Sequence, residues 1–256
     1  MGKIISVLNQ KGGVGKTTTA INLGGALLQK GYKVLLIDSD SQANLTESLG
    51  ISADLPKTFY GAMKKEYDLP ILQHPDGFHI VPSCIDVSAL DIELINEYAR
   101  EHILSKLINT CKANYDFIII DCPPALSLSS INALTASDFL LIPVQAHYLA
   151  LRGMSKLLET VNKVKSSGLN PNLKIVGALI TQYEGTILNK EVAENVRKTF
   201  QGKVFGTVIR KIIALAEAPT TGQDIFHYSA KSQGAEDYMN FCIEFLNEIK
   251  DGKKEL

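Results

Sequence analysis

Short runs that are apolar at nearly every position alternate along this chain with longer stretches in which apolar residues return every three or four positions. The first kind comprises Ile4 to Leu8, Val34 to Ile37, Phe117 to Ile120, Phe139 to Val144 and Ile175 to Ile180. Runs rich in β-branched and large aliphatic residues, without polar alternation, predict parallel strands covered on both faces. The second kind covers residues 17–30, 103–113, 127–136, 149–166 and 189–200, whose spacing predicts amphipathic helices. Taken in turn, they give the βαβ rhythm of an α/β fold: a doubly wound, mostly parallel sheet with helices on both faces. One such domain is expected over residues 1–250, with 251–256 as a flexible C-terminal tail. Near the end, Tyr238, Phe241, Cys242, Phe245, Leu246 and Ile249 form another helical stripe, while the opposite face carries Glu236, Asp237, Glu244 and Glu248. An acidic helix of this kind is repelled by anionic lipid, so it reads as a helix docked on the core, and no membrane partner is expected.

In open parallel sheets ligands bind beyond the carboxyl ends of the strands, so the residues that follow each strand are the candidates for chemistry. The first strand runs into Asn9-Gln10-Lys11-Gly12-Gly13-Val14-Gly15-Lys16-Thr17-Thr18. Gly12, Gly13 and Gly15 let the backbone curl so that several N–H groups face one anion at a helix N-terminus. Lys16 adds a point charge for the β and γ phosphates and Thr17 a hydroxyl for Mg²⁺, so the loop predicts nucleotide binding. The strict G-x-x-x-x-G-K-[ST] pattern requires glycine where Gln10 stands, and a second lysine, Lys11, opens the loop instead. The second strand ends in Asp38-Ser39-Asp40-Ser41-Gln42, a spacing of two that places both acids on one face. Two acids there could also cap a following helix. Asp121 follows Phe117 to Ile120 as an acid at the end of a buried strand, the arrangement that holds Mg²⁺ through water. Pro123 and Pro124 stiffen what comes next.

Composition excludes several classes. With 26 basic against 27 acidic residues and 45% apolar residues, the chain is neither disordered nor globally basic. Four cysteines without a C-x-x-C pair suggest neither a zinc site nor a disulfide framework. No apolar run reaches the roughly 18 residues of a membrane span, and the expected location is cytoplasmic. Charge is uneven, however: Glu66 to Glu101 holds eight acids and one base, whereas Arg152 to Lys211 holds eleven bases and four acids. The second segment hints at an anionic partner.

The loop Lys11-Gly12-Gly13-Val14-Gly15-Lys16-Thr17-Thr18 resembles the deviant Walker A loop of the ParA/MinD superfamily of P-loop ATPases. The likeness continues through Asp38 to Gln42, Asp121 to Pro124, Glu217-Ala218-Pro219 and Ser232 to Ala235, and it is nearest to the ParA/Soj branch, which segregates plasmids and chromosomes. That resemblance implies ATP and Mg²⁺ as cofactors, and an ATP-dependent homodimer in which Lys11 reaches the partner's phosphates. It implies Asp40 as the residue that orients water, and Thr17, Asp38 and Asp121 on the Mg²⁺ side. Hydrolysis is expected to be slow until a ParB-type centromere-binding protein stimulates it. Thr181, Gln182, Arg210 and Lys211 lie near the family's adenine pocket. Arg197, Lys198, Lys203, Arg210, Lys211 and Lys231 fall in the region that binds duplex DNA without sequence preference, which implies association with the nucleoid in the ATP state. Two departures stand out: Ser41 replaces the family's usual proline, and Ala214 replaces a second basic residue. A MinD-like or other cargo-positioning ATPase, and a metabolic ATP-dependent ligase sharing the loop, remain alternatives.

Overall fold

The computed structural model describes residues 2–147, 154–200 and 203–251. Among these residues eight strands form one sheet: β1 (Lys3–Val7), β2 (Val34–Asp38), β3 (Leu72–Gln73), β4 (His79–Val81), β5 (Phe117–Asp121), β6 (Phe139–Gln145), β7 (Lys174–Tyr183) and β8 (Val204–Arg210). Their order is β3-β4-β2-β5-β1-β6-β7-β8. All neighbouring pairs are parallel except β3 with β4. The five strands expected from the apolar runs are all present, each within a few residues of its predicted bounds. The sequence pattern missed β3, β4 and β8. β3 and β4 have two and three residues, too few to show a period, and β8 is interrupted by Gly206.

Neighbouring strand residues serve opposite faces, as the two-residue pleat requires. Ile4, Leu35, Ile37, Ile118 and Ile120 pack on one side with α5 (Ile103–Cys111), α6 (Leu128–Ala136), α7 (Met154–Ser166) and α8 (Ile187–Thr199). Ile5, Val34, Leu36, Phe117 and Ile119 pack on the other, under α1 (Lys16–Gln29) and α11 (Gln233–Asp251). This is why those runs carry no polar alternation. The predicted start of the helix at 149–166 lies outside the described residues up to 153, as does the expected tail from 252 onward. Between these elements lie short helices: α2 (Asn44–Ser48), α3 (Phe59–Met63), α4 (Leu90–Glu93), α9 (Ile213–Glu217) and α10 (Ile225–Ser229).

The stripe Tyr238, Phe241, Cys242, Phe245, Leu246 and Ile249 is buried throughout on α11, as expected for a docked helix. The acidic face of α11 has a structural task as well. β8 is an edge strand, and Glu244 accepts hydrogen bonds from the Gly206 and Thr207 amides at 2.6 and 2.9 Å, while Asp237 accepts one from the Arg210 amide at 2.9 Å. Carboxylates on α11 thus occupy backbone donors that an exposed edge would otherwise present. No helix among the described residues is long and apolar enough to cross a membrane.

Candidate functional site

β1 stands at the centre of the sheet, and the chain leaves it toward β5 and β2 on one side and β6 on the other, so the crevice of a doubly wound sheet opens at its carboxyl end. There the loop from Asn9 turns into α1. Gly13 and Gly15 adopt φ of 69° and 82°, left-handed values that a side chain resists, and Gly15 is the residue that caps α1. α1 has no side-chain cap and no acid in its first turn, so its leading N–H groups are left for an outside anion. A side chain built at Gly12 or Gly13 would meet nothing within 4 Å. The loop borders a cleft of about 390 Å³ whose lining includes Lys16, Thr17, Thr18, Asp40, Gln182 and Gln223.

The loop is held from below. Asn9 Oδ1 accepts from the Lys11 amide at 3.1 Å, and Asn9 Nδ2 donates to the Pro143 carbonyl at 2.7 Å. Thr181 Oγ1 donates to the Val14 carbonyl at 2.8 Å, and Gln182 Nε2 to the Gly13 carbonyl at 2.6 Å. Gln182 itself takes φ of 52°, a conformation disfavoured for a residue with a side chain and one that here accompanies the bond to Gly13. Gln145 joins the set: its Nε2 donates to Gln182 Oε1 at 2.8 Å, and its Oε1 accepts from Lys11 Nζ at 3.1 Å. Within one chain, Lys11 is therefore bound to the end of β6. Gln145 was not among the sequence candidates; the signal was a polar residue directly after a buried run, the same signal that marked Asp121.

Lys16 is 8% exposed, and its Nζ donates to the Lys11 carbonyl at 3.3 Å. Burial lowers its pKa, opposed by the charges of Asp121 and Asp40. Thr17 Oγ1 donates to Asp121 Oδ2 at 2.6 Å. The other carboxylate oxygen of Asp121, Oδ1, is buried without a hydrogen-bond partner. Burial, followed by the nearby Asp38 charge, raises the Asp121 pKa well above the usual carboxylate range, with Thr17 and Lys16 opposing. An orphaned buried oxygen beside a threonine hydroxyl, amid more acids than bases, fits a hard divalent cation. Asp40, 7% exposed, is fixed by the Gln42 amide on its Oδ1 at 3.0 Å.

Asp38 lies beside Asp121 in register, but its oxygens are taken up by the Asp40 amide at 3.1 Å and by the Thr46 amide and hydroxyl at 2.9 and 2.7 Å. In this structure it shapes the turn that carries Asp40 and the start of α2. Burial raises the Asp38 pKa to about 6, the bonds from Thr46 and Asp40 opposing the rise. A carboxyl with a folded-state pKa above its unfolded value holds its proton more tightly when folded. Its contribution is therefore greatest in acid and falls as pH rises from about 4 to about 6. Nucleotide-free Asp38→Asn protein should gain roughly 3 kcal/mol relative to wild type across that window, as measured by urea unfolding at several pH values.

The remaining predicted residues are less concentrated. Arg210 is gripped by Asp237 Oδ1 at 2.6 Å and by Glu236 at 3.3 Å, and Lys211 by Glu184 at 2.8 Å; neither lines the cleft. Gln182 lines it directly, whereas Thr181 braces the loop beneath. Arg197, paired with Glu194, and Lys198 lie in the last turn of α8, and Lys203 precedes β8. Arg210 and Lys211 stand at the far end of that strand, and Lys231 precedes α11. Lys203 and Arg210 with Lys211 thus flank opposite ends of β8, Arg197 and Lys198 close the helix that leads into it, and Lys231 stands apart before α11. All four cysteines are free and buried, and burial raises the thiol pKa of Cys122.

A mostly parallel sheet with a glycine-rich loop feeding a lysine and a threonine into the first helix, opposite an acid on a neighbouring strand, defines a P-loop nucleotide-binding protein. The AAA domain family matches residues 2–175. Sporulation initiation inhibitor protein Soj of Bacillus subtilis is 45% identical over 249 residues, covering 95% of this chain and 98% of its own. Chromosome partitioning protein ParA of Myxococcus xanthus is 41% identical, covering 96% of this chain and 88% of its own. Among solved structures, cobyrinic acid a,c-diamide synthase from Mycobacterium smegmatis with bound ADP and magnesium has a TM-score of 0.88 and 32% identity, covering 98% of this chain and 97% of its own. The chain belongs to the Soj/ParA family of chromosome-partitioning P-loop ATPases.

Proposed function

We propose that this chain is an ATP-switched partition ATPase. It dimerises on binding ATP and Mg²⁺, associates with duplex DNA without sequence preference, and hydrolyses ATP slowly until a ParB-type partner stimulates it. The observation that carries this reading is the contrast between the two loop lysines: Lys16 is seated at the phosphate loop, while the Lys11 ammonium is turned to Gln145. A second subunit facing the cleft would draw Lys11 across to its phosphates, so assembly and chemistry would be coupled.

The reaction is attack of water on the γ-phosphorus of ATP, forming one P–O bond as the bond to the β-phosphate oxygen breaks, with ADP and phosphate as products. The amides from Gly12 to Thr18 and the Lys16 ammonium hold the phosphates, and Lys11 of the facing subunit meets charge that grows on the transferring group. Asp40 places the water. Bound Mg²⁺, for which Thr17 and Asp121 are the residues at hand, supplies further neutralisation of the phosphate oxygens.

The sheet order supports an anionic partner on one side. The acidic segment 66–101 contributes β3, β4 and α4 at one edge, whereas α7, β7, α8 and β8, from the basic segment, form the other. Charge that looked uneven along the sequence is therefore separated across the molecule. Arg197, Lys198 and Lys203 would meet phosphates near the start of β8, Arg210 and Lys211 at its end, and Lys231 ahead of α11.

Light scattering tests the assembly step. Wild type should double in mass with a non-hydrolysable ATP analogue, whereas Lys11→Ala should bind it within about threefold of wild-type affinity yet stay monomeric. A wild-type monomer under saturating analogue would overturn the proposal. DNA binding measured with ATP, ADP and no nucleotide should be strongest with ATP and fall steeply with salt. The M. smegmatis structure favours a second reading, an ATP-dependent amide synthase. That enzyme would need a small carboxylate substrate for turnover and would ignore DNA.

A further inference from the structure

Away from the phosphate loop, the turn between β3 and β4 meets the start of α10. Asp224 caps α10: its Oδ1 accepts from the Phe226 and His227 amides at 2.6 and 3.3 Å, and its Oδ2 lies 2.6 Å from His227 Nδ1. Asp76, from the turn, aims its Oδ2 into the same space, 3.6 Å from His227 Nδ1. The Asp76 side chain is only 9% exposed, and that oxygen is buried with no hydrogen-bond partner.

A neighbouring histidine cannot satisfy it. His74 Nε2 lies 2.9 Å from the Leu49 carbonyl, which can only accept, so Nε2 carries a proton. The Asp76 amide donates to His74 Nδ1 at 3.2 Å, so Nδ1 carries none, and the ring is neutral. Neither Asp76 nor Asp224 has a lysine or arginine partner among the described residues. Two carboxylates, one of them with a bare buried oxygen, therefore converge on the His227 imidazole, while the His74 ring stands 4.0 Å from that same oxygen with both nitrogens already engaged. Buried charge of this kind is costly unless a cation meets it.

We propose that Asp76, Asp224 and His227 form a binding site for a first-row divalent metal ion such as Zn²⁺ or Mn²⁺, separate from the nucleotide's Mg²⁺. One donor atom from each residue lies within 4.8 Å of the others, a spread that modest side-chain movement closes around one ion. Two carboxylate oxygens and one imidazole nitrogen favour borderline transition metals over Ca²⁺ or Mg²⁺, which prefer oxygen alone. On binding, Nδ1 exchanges its bond to Asp224 for one to the metal, and the neutral ring carries its proton on Nε2. The partly open imidazole, 34% exposed, leaves room for water to complete the coordination.

The ion would tie the β3–β4 turn to α10, and so brace one end of the nucleotide cleft. Gln223, next to Asp224, lines that cleft, and Asn22 Oδ1 on α1 accepts from the Ile225 amide at 2.8 Å.

The test uses full-length, nucleotide-free protein stripped with a chelator. Titration with Zn²⁺ or Mn²⁺ alone, followed by calorimetry and thermal melting, should show one saturable site and a raised melting temperature. Asp76→Asn and His227→Gln should each weaken binding roughly 10- to 100-fold and abolish the thermal gain. Asp121→Asn should retain both responses. The exposed position of His227 keeps that variant informative if Asp76→Asn misfolds. Absence of saturable binding up to about 1 mM metal, or binding unchanged in His227→Gln, would overturn the proposal.

Discussion

Alanine in place of Lys16 is expected to remove nucleotide binding, lowering ATP affinity by roughly 100-fold or more. The ammonium is buried at the loop, and burial means its attraction for phosphate is little screened by water. Truncation would also leave Asp40 and Asp121 facing an incoming polyanion without the charge that offsets them. Both effects act in the same direction, and the loss should be visible in equilibrium titration with a fluorescent ATP analogue. Lys16→Ala protein that bound ATP as wild type does would show that the loop is not the phosphate site.

Asp40→Ala should behave in the opposite manner, keeping ATP while losing turnover by roughly 100-fold or more. Asp40 lines the cleft, and its Oδ1 is set by the Gln42 amide, so it presents a fixed carboxylate without serving as a ligand for the loop. Removing an acid near the triphosphate does not weaken a polyanion's hold. Because hydrolysis would end the ATP state, the variant should accumulate as a persistent dimer with a non-exchanging nucleotide, read by light scattering and single-turnover release of phosphate. Normal hydrolysis by Asp40→Ala would reassign the water-orienting residue.

Much of this site is legible in the sequence. The loop from Lys11 to Thr18 and the strand-end acids Asp38, Asp40 and Asp121 follow buried runs, and local chemistry restricts such glycine, lysine and threonine spacing to few purposes. The docking of α11 was legible as well, because six apolar residues at helical spacing demand a covering surface. Other features needed contacts between distant residues. Asp38 looked equivalent to Asp121, yet Thr46 occupies one and leaves an oxygen of the other bare. Arg210 and Lys211 looked available to a nucleotide, but Asp237, Glu236 and Glu184 hold them outside the cleft. The basic residues near β8 look clustered along the chain, whereas an extended strand of seven residues separates them by roughly 20 Å.

By itself the sequence determined the α/β class, the central strands, the phosphate loop and the acids poised around it, because periodicity and turn chemistry act over a few residues. Only the tertiary structure decided where Lys11 rests, that Gln145 and Gln182 brace the loop, and that Asp76 meets Asp224 and His227. Those pairings join residues 134, 169 and 148 to 151 positions apart. No local pattern encodes them, since they arise only when the sheet brings separate strand ends and turns into contact.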